Sequence, residues 1–268
     1  FYESFGQTFI IENRTGAGGM IGAEAAARAA PDGYTVLFTS ASLAVNVSLQ
    51  KKAAVDPLRD FAPVLWVSST PLVLVVHPST PAKNVRELVA LAKRRAGQLN
   101  AASNGSGTTS HLSIEMLKQL AGVQITHVPY KGGAPSTTAV VSGEVDMAFP
   151  PILSAQPFIK AGKVRPLAVT TVKRSSAYPE LPAITESVPG FETNNWYAFF
   201  VPAGTPPDII ARLHAATVKA LKSPEVGDYL KRDGADAVGS TPDELAAYFR
   251  REVDKYAKLI KAANLHVE

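Results

Sequence analysis

The sequence predicts an α/β protein of two lobes with mainly parallel sheets, and three observations carry that prediction. Short runs rich in β-branched and aromatic residues alternate with longer helical stretches. A capping oxygen stands three positions before an acidic residue at Asn84, Thr205 and Thr241, which marks helix N-termini. Two strand-like runs end in Pro-rich segments, at 77–81 and 202–207, and two such rigid crossings favour lobes joined by a hinge.

Each predicted strand is a short run of high β-propensity bounded by turn residues. The strands are expected at residues 8–12, 35–39, 72–77, 99–102, 125–127, 147–150, 165–170 and 196–201. The alanine-rich run at 23–30 favours helix. In the last helix, apolar residues recur at steps of three and four from Leu245 to Ile260. We expect that face to pack while the lysines of the helix, including Lys255, stay in water.

The two crossings divide the chain at 77/78 and at 202/203. Residues 1–77 and 203–268 are expected to form the first lobe and residues 78–202 the second, connected by two crossover strands. The chain opens on FYESFGQTFIIENR, which reads as the close of a helix with no strand before it. A further segment, including a first strand, is therefore expected upstream of Phe1.

Composition narrows the class of protein. At 268 residues and 46% hydrophobic content the chain can bury a sizeable core, and no stretch approaches the roughly 18 to 20 apolar residues of a spanning helix. The net charge of +4 suits acidic ligands. Basic residues are interleaved with acidic ones and form no tract with aromatic residues, so no nucleic-acid partner is expected. The absence of cysteine excludes disulfides, thiolate catalysis and zinc sites built on Cys.

The residues that usually carry catalysis form no recognisable set. The five histidines show no metal-ligand spacing such as HExxH and are interpreted as structural or surface residues. They are His77, His111, His127, His214 and His266. No GxSxG elbow is present, and the glycine-rich run at 12–22 lacks the ending of a nucleotide phosphate loop. The sequence predicts a protein that is not an enzyme and has no metal or cofactor.

The most informative segment is residues 100–112, a strand that runs through a loop of small residues into a helix. Gly105 and Gly107 allow close approach to the backbone, and amides at a helix start suit a carboxylate or phosphate. Ser110 stands where a dinucleotide fingerprint needs its last glycine, which disfavours a dinucleotide. A turn that only joins two elements remains the alternative.

Other predicted strands end in similar polar loops. Ser40 and its neighbours follow one strand, although Ser40 could instead cap the next helix. Lys131 lies in a second glycine-rich turn as a possible counter-ion, with a solvated lysine as the alternative. The predicted ligand-binding residues all lie at or near a strand end. They are Thr39, Ser40, Ala41, Ser103, Asn104, Gly105, Ser106, Gly107, Thr108, Thr109, Tyr130, Lys131, Gly132 and Pro150.

Several segments together resemble the Bug family, the substrate-binding proteins of tripartite tricarboxylate transporters. They are ENRTGAGG at 12–19, APDGYT at 30–35, PYKGG at 129–133, GEVD at 143–146 and PAGTP at 202–206. The resemblance spans essentially the whole chain in the expected order. It implies a type II periplasmic-binding fold, with two sheets flanked by helices and a carboxylate ligand in the cleft between two lobes. Members typically open with a strand and a Pro-Gly-Gly loop, and nothing here matches that segment.

The resemblance also implies a role. We expect an exported, periplasmic, monomeric receptor that closes on a small carboxylate and presents it to the membrane components of a transporter. A dicarboxylate, tricarboxylate, acidic amino acid or aromatic carboxylate is expected to bind at micromolar concentration or below. No acidic residue stands out in the three predicted binding loops, at 39–42, 103–109 and 130–132. This favours a ligand without an amine. The alternatives are a regulator or enzyme on the same scaffold, and a secreted binding module without a transporter.

Overall fold

The computed structural model describes residues 2–14, 16–49, 55–175, 178–232, 234–263 and 265. Helices and strands alternate along the chain, with short 3₁₀ turns at Ala17–Gly19 and Ile184–Glu186. The helices are α1 Tyr2–Phe5, α2 Met20–Ala27, α3 Ser42–Leu49, α4 Val85–Arg94, α5 Thr109–Ala121, α6 Gly133–Val141, α7 Ile152–Lys160, α8 Pro207–Leu221, α9 Pro224–Arg232 and α10 Pro242–Ala262. The strands are β1 Leu37–Ser40, β2 Phe61–Thr70, β3 Val73–Val76, β4 Asn100–Ser103, β5 Thr126–Pro129, β6 Met147–Ala148, β7 Arg165–Val169, β8 Asn195–Pro202 and β9 Asp236–Ala237.

The strands pair into two sheets, as the α/β prediction requires. The first sheet has the order β1-β8-β2-β9 and is antiparallel throughout. The second has the order β5-β4-β6-β3-β7, with β4 parallel to β5 and β6, and β3 antiparallel to β6 and β7. The expectation of mainly parallel sheets is therefore wrong. β2 leads the chain out of the first sheet and β8 brings it back, so these two strands run in opposite directions.

The longest strand, β2, is absent from the sequence prediction. Its register against β8 shifts between Pro63 and Leu65 and again between Trp66 and Ser68. Each bulge breaks the alternation of inward and outward side chains, so that Val64 and Leu65 are both fully buried. A proline within a run also argues against a strand when the sequence is read locally. β2 therefore lacks the alternating pattern that marks a strand in the sequence, although it lies in the interior of the first sheet.

The predicted strand at 8–12 is wrong as well. The structure has no regular element there, and Ile10 and Ile11 are 88% and 86% exposed. High β-propensity forms a strand only when a neighbouring strand accepts its backbone hydrogen bonds. Among the described residues, none pairs with this segment.

Two of the three predicted helix caps are confirmed. The Asn84 side chain accepts a hydrogen bond from the Glu87 amide at 2.9 Å, and the Thr241 hydroxyl accepts one from the Glu244 amide at 3.2 Å. Thr205 does not cap α8, because its hydroxyl donates to the Pro202 carbonyl at 2.8 Å and the helix starts after Pro206. In that segment the two prolines, rather than a side-chain oxygen, set the helix start.

The predicted buried face of α10 is confirmed. Its residues at steps of three and four are all buried. They are Leu245, Phe249, Val253, Tyr256 and Ile260. Lys255 departs from the prediction, because it is half-buried and pairs with the buried Glu252 at 2.5 Å. No helix among the described residues has the length and apolar character needed to cross a bilayer.

The strand pairing can be compared with the predicted lobe boundaries. β3 pairs within the second sheet and β8 within the first, although the predicted boundaries assign them the other way round. The chain passes between the sheets at 71–72 and returns near 193–194, where the Thr193 amide donates to the Thr170 carbonyl at 3.1 Å. The division into two lobes stays a prediction, with the sheets as its natural units.

Candidate functional site

The loop between β4 and α5 is held by hydrogen bonds that its own residues make. The Gly105 amide donates to the Ser103 hydroxyl at 3.2 Å, and the Gly107 amide donates to Nδ1 of His111 at 3.2 Å. The Thr108 hydroxyl donates to the Gly105 carbonyl at 2.7 Å and accepts from the His111 amide at 3.4 Å, which caps α5. Gly105 and Gly107 have φ values of 130° and 74°, a region that favours glycine.

The start of α5 is buried with unused donors. Thr109 is 3% exposed and Ser110 is 1% exposed. Among the described residues, the backbone amides of Ser106, Thr109 and Ser110 have no hydrogen-bond acceptor. The Ser110 hydroxyl is likewise buried and without a partner in that part of the chain. An anion at this helix N-terminus would accept from these groups and lie at the positive end of the helix dipole.

The second predicted loop packs directly against the first. The Tyr130 amide donates to the Ser103 carbonyl at 3.0 Å, and the Gly132 amide donates to the Asn104 carbonyl at 3.1 Å. The Ser136 hydroxyl donates to Oδ1 of Asn104 at 2.9 Å. These contacts bring Ser103, Asn104, Tyr130 and Gly132 together at the carboxyl ends of β4 and β5.

The side chains of the second loop do less than its backbone. The Tyr130 hydroxyl donates to Oε1 of Glu144 at 2.7 Å, and burial with this carboxylate raises the pKa of Tyr130 to about 12. Lys131 is exposed, which is compatible both with a counter-ion at the edge of the site and with a solvated lysine. Pro150 is buried and its carbonyl accepts from the Val73 amide at 3.0 Å, which ties it to the second sheet.

The third predicted loop, after β1, is used largely by the fold. Thr39 and Ser40 pair with Ala198 and Tyr197 in the sheet. The Ala41 amide donates to the Trp196 carbonyl at 3.0 Å, and Ala41 is fully buried. The Ser40 hydroxyl accepts from the Ser42 amide at 3.4 Å, as a residue near a helix start does. The part of this junction that faces the other loops is α3.

Asn46 on α3 connects the loops of the two sheets. Its Nδ2 donates to the Ser42 carbonyl at 2.8 Å and to the Gly18 carbonyl at 3.3 Å. A Cβ atom added to Gly107 would lie 3.7 Å from Oδ1 of Asn46 and 3.2 Å from Cδ1 of Leu49. The loop after β4 of the second sheet therefore lies against α3, the helix that follows β1 of the first sheet.

Two histidines lie beneath the loop between β4 and α5. The rings of His111 and His127 stack with centroids 3.9 Å apart and planes 16° apart. Nε2 of His127 lies 2.6 Å from the Ser103 hydroxyl. Burial lowers the pKa of both imidazoles to about 4. The charge of Lys118 lowers the pKa of His111 further, and the neighbouring His111 ring lowers that of His127 further. Both rings are therefore neutral near pH 7.

The sequence prediction missed three of these residues as parts of the site. Asn46 is the polar residue at the centre of the apolar run LAVNV, and that pattern is a usable signal for a buried hydrogen-bonding role. For His111 and His127, the sequence predicts only a structural or surface role. Their stacking has no local sequence signature, because they lie on a helix and a strand that meet only in the folded protein. The fifth histidine, His266, lies outside the described residues.

The arrangement is suited to holding an anion. Its available groups are backbone amides and hydroxyls, which are donors to a carboxylate or phosphate. Among the described residues, no group of three or more His, Cys, Asp or Glu side chains could hold a metal ion.

The chain is similar to known proteins over almost all of its length. A family model described as "Tripartite tricarboxylate transporter family receptor" matches residues 1–265. Protein BugT of Bordetella pertussis is 34% identical over 262 residues, which cover 97% of this chain and 80% of that protein.

Solved structures of similar sequence share the fold. The R. palustris protein Rpa4515 with adipate is 34% identical and superposes with a TM-score of 0.89, over 99% of this chain and 89% of that one. MatC (Rpa3494) from Rhodopseudomonas palustris with bound malate is 32% identical with a TM-score of 0.85, over 97% and 90% of the two chains. The expected fold class, two sheets flanked by helices as in periplasmic binding proteins, is confirmed.

Proposed function

Because this chain belongs to the receptor family of the tripartite tricarboxylate transporters, we propose that it captures a small organic carboxylate between its two sheets. The captured ligand is then delivered to the membrane components of a transporter. The chain itself converts no substrate. The related structures with adipate and malate support a ligand with two carboxylates.

The buried start of α5 carries this proposal. A backbone N–H that is buried without a partner costs about 1 to 3 kcal/mol, and the amides of the buried residues Thr109 and Ser110 lack an acceptor among the described residues. The amide of Ser106, which is exposed, also lacks an acceptor there. A carboxylate supplies acceptors for several donors at once and gains from the helix dipole. These observations support binding of the ligand's first carboxylate at this helix N-terminus, in contact with the loop 103–109.

The second sheet's loop and the first sheet's helix are proposed to form the two walls of the site. Gly107 supports this, because it lies against Leu49 and Asn46 of α3. We assign the strands β1, β2, β8 and β9 to one lobe and β3 to β7 to the other, with the hinge at 71–72 and 193–194. A ligand that contacts both walls would stabilise the closed form, which is the form the membrane partner recognises.

The charge distribution favours a ligand without an ammonium group. In the described loops 39–42, 103–109 and 130–132 no side chain is acidic, so an amine would find no counter-ion in them. Lys131 is exposed and available to a second carboxylate at the edge of the site. The proposal therefore ranks dicarboxylates such as adipate and malate above glutamate.

Isothermal titration calorimetry tests the proposal with a defined panel. The panel contains adipate, malate, citrate, glutamate and benzoate, with adipamide as the neutral control for adipate. We expect at least one of the carboxylates to bind at micromolar concentration or below and adipamide not to bind. Failure of the whole panel to bind at millimolar concentration, or turnover of a carboxylate by the purified protein, would overturn the proposal.

A further inference from the structure

The stacked imidazoles of His111 and His127 lie directly under the residues that would face a carboxylate. His111 is the third residue of α5, and its ring reaches back to the loop that precedes the helix. His127 belongs to β5 and its ring lies beside Ser103, the last residue of β4. The pair thus joins a helix and two strands at one point beneath the loop 103–109.

The hydrogen bonds at His111 fix the chemical state of its ring. A backbone N–H is always a donor, so Nδ1 of His111 must carry a lone pair to accept from the Gly107 amide at 3.2 Å. The Ser103 hydroxyl accepts from the Gly105 amide at 3.2 Å and lies 2.6 Å from Nε2 of His127. The amides of Gly107 and Gly105 therefore point into the protein. Gly107 donates to the ring of His111, and Gly105 donates to Ser103, whose hydroxyl contacts the ring of His127.

The surroundings keep the two rings uncharged. His111 is 7% exposed. Among the described residues, the charged groups facing the pair are Lys118, whose charge disfavours protonation, and the buried Glu115, which raises the pKa of His127 against the larger effect of burial and pairs with Lys118 at 2.8 Å. Oε1 of Glu115 lies 3.9 Å from Nε2 of His111, beyond hydrogen-bonding distance.

We propose that His111, supported by its stack on His127, is a positioning residue for the carboxylate site. By accepting from the Gly107 amide it fixes the turn of the loop, and this turn leaves the amides of Ser106, Thr109 and Ser110 pointing toward the ligand. The inference rests on the proposed function for the identity of the ligand. The positioning of the loop itself is a property of the protein alone, so it is measurable without any ligand.

Two substitutions of His111 separate the hydrogen bond from the ring. His111→Asn keeps an acceptor, since Oδ1 of Asn occupies nearly the place of Nδ1, but it loses the stacked ring. His111→Phe keeps an aromatic ring against His127 but removes the acceptor. His214→Phe is the matched control, because Nε2 of the half-buried His214 makes one hydrogen bond to the Ser240 carbonyl at 3.0 Å, in the first sheet's half of the protein.

Amide hydrogen exchange by NMR is the first measurement and uses the protein without ligand. We expect His111→Phe to lower the protection of the Gly107 amide by about tenfold or more, the equivalent of one lost hydrogen bond. His111→Asn should keep protection within about threefold of wild type, and His214→Phe should leave this amide unchanged. Unchanged protection in His111→Phe would overturn the inference, as would an equal loss in all three variants.

Calorimetry with adipate and malate is the second measurement. We expect His111→Phe to raise the Kd by about tenfold or more and His111→Asn to raise it by no more than about threefold. If wild-type protein binds neither compound, the proposed ligand class fails while the exchange result still decides the positioning role. If exchange changes as expected but the Kd does not, the loop is anchored by His111 but the site does not depend on it, and the inference is wrong.

Discussion

Gly107 lies so close to Leu49 that a Cβ atom at position 107 would be 3.2 Å from Cδ1 of the leucine. The two residues are associated with different sheets. Gly107 follows β4 of the second sheet, and Leu49 ends α3, the helix after β1 of the first sheet. With φ at 74°, Gly107 also adopts a backbone conformation that other residues rarely take. This contact, together with the one to Asn46, joins the two walls of the proposed site.

The first prediction concerns Gly107→Ala. The new methyl group must push Leu49 away or shift the loop, and the positive φ adds strain. We expect the free energy of unfolding to fall by about 1 to 2 kcal/mol and the Kd for adipate to rise by about tenfold or more. Chemical denaturation and calorimetry measure the two quantities.

Gly122→Ala is the control for backbone strain alone. Gly122 caps the C-terminus of α5, the helix that follows the Gly107 loop, with φ at 61°, and a Cβ atom there would meet nothing within 4 Å. We expect it to cost about 1 kcal/mol of stability and to leave adipate binding unchanged. An equal loss of affinity in both glycine variants would argue against the role of the Gly107 contact.

The second prediction removes a single backbone donor by Thr109→Pro. Thr109 is the first residue of α5, where proline is tolerated, as Pro207 and Pro242 demonstrate at the starts of α8 and α10. Thr108 has φ and ψ of −88° and 162°, a conformation that a following proline accepts. We expect the Kd for adipate to rise by about tenfold or more with little change in stability.

Thr109→Ala serves as the matched control for the second prediction. It removes the side chain but keeps the amide, so it should bind adipate nearly as wild type does. A circular-dichroism melt of both variants verifies that α5 still forms. The backbone-anion interpretation is contradicted if the alanine variant loses as much affinity as the proline variant.

The third prediction concerns acid. The unfolded chain binds protons at His111 and His127 near their ordinary pKa of about 6.5, whereas the folded protein holds both at about 4. Between these values the unfolded state takes up more protons, so the free energy of unfolding falls as the pH decreases from 6.5 toward 4. We expect a loss of about 4 kcal/mol between pH 7.5 and pH 5.0, roughly 2 kcal/mol from each imidazole, measured by urea denaturation.

The double variant His111→Asn, His127→Gln tests the source of this pH dependence. Neither new side chain titrates, while both keep hydrogen-bonding atoms for Gly107 and Ser103. Its stability should be nearly constant between pH 7.5 and pH 5.0, a range above the ordinary pKa of carboxyl groups. A loss as large as that of wild type would assign the acid sensitivity to other groups.

The fourth prediction concerns the core between β8 and α10. The indole Nε1 of Trp196 donates to Oε2 of Glu252 at 3.1 Å, and Lys255 pairs with Oε1 of the same carboxylate. Glu252 is 3% exposed. Glu252→Ala should lower the free energy of unfolding by about 3 kcal/mol or more, because it leaves the lysine without its counter-ion and the indole without its acceptor.

Glu252→Gln gives the comparison for the fourth prediction. It keeps an acceptor for the indole of Trp196 and removes only the charge opposite Lys255. Urea denaturation should place its stability between those of wild type and Glu252→Ala. Equal stability of all three proteins would mean that the buried carboxylate contributes nothing to the fold.

Part of the fold follows from the sequence because its causes are local. The caps at Asn84 and Thr241 join residues three positions apart, and the buried face of α10 follows from its helical repeat. β2 escapes prediction because its two bulges are defined only by pairing with β8.

For the candidate site too, the sequence predicts one part and the folded structure adds the rest. A loop of small residues between a strand and a helix marks residues 103–109 as approachable backbone in the sequence. The structure adds that His111 and Ser103 accept from the amides of Gly107 and Gly105, which removes these two amides from the donors that the loop can offer. The expected ligand residue Ala41 is buried and its amide pairs with Trp196, a partner that no local pattern reveals.

The α/β class, the helix caps at Asn84 and Thr241, and the order of the family segments follow from the sequence alone, and the sequence also predicts which loops could bind an anion. The strand directions, the contact of Gly107 with α3 and the stacking of His111 on His127 appear only in the folded protein. The physical reason is that propensity, capping and periodicity act between neighbours along the chain. Pairing and burial act between residues far apart in the chain, so only folding selects the donors that remain available to a ligand.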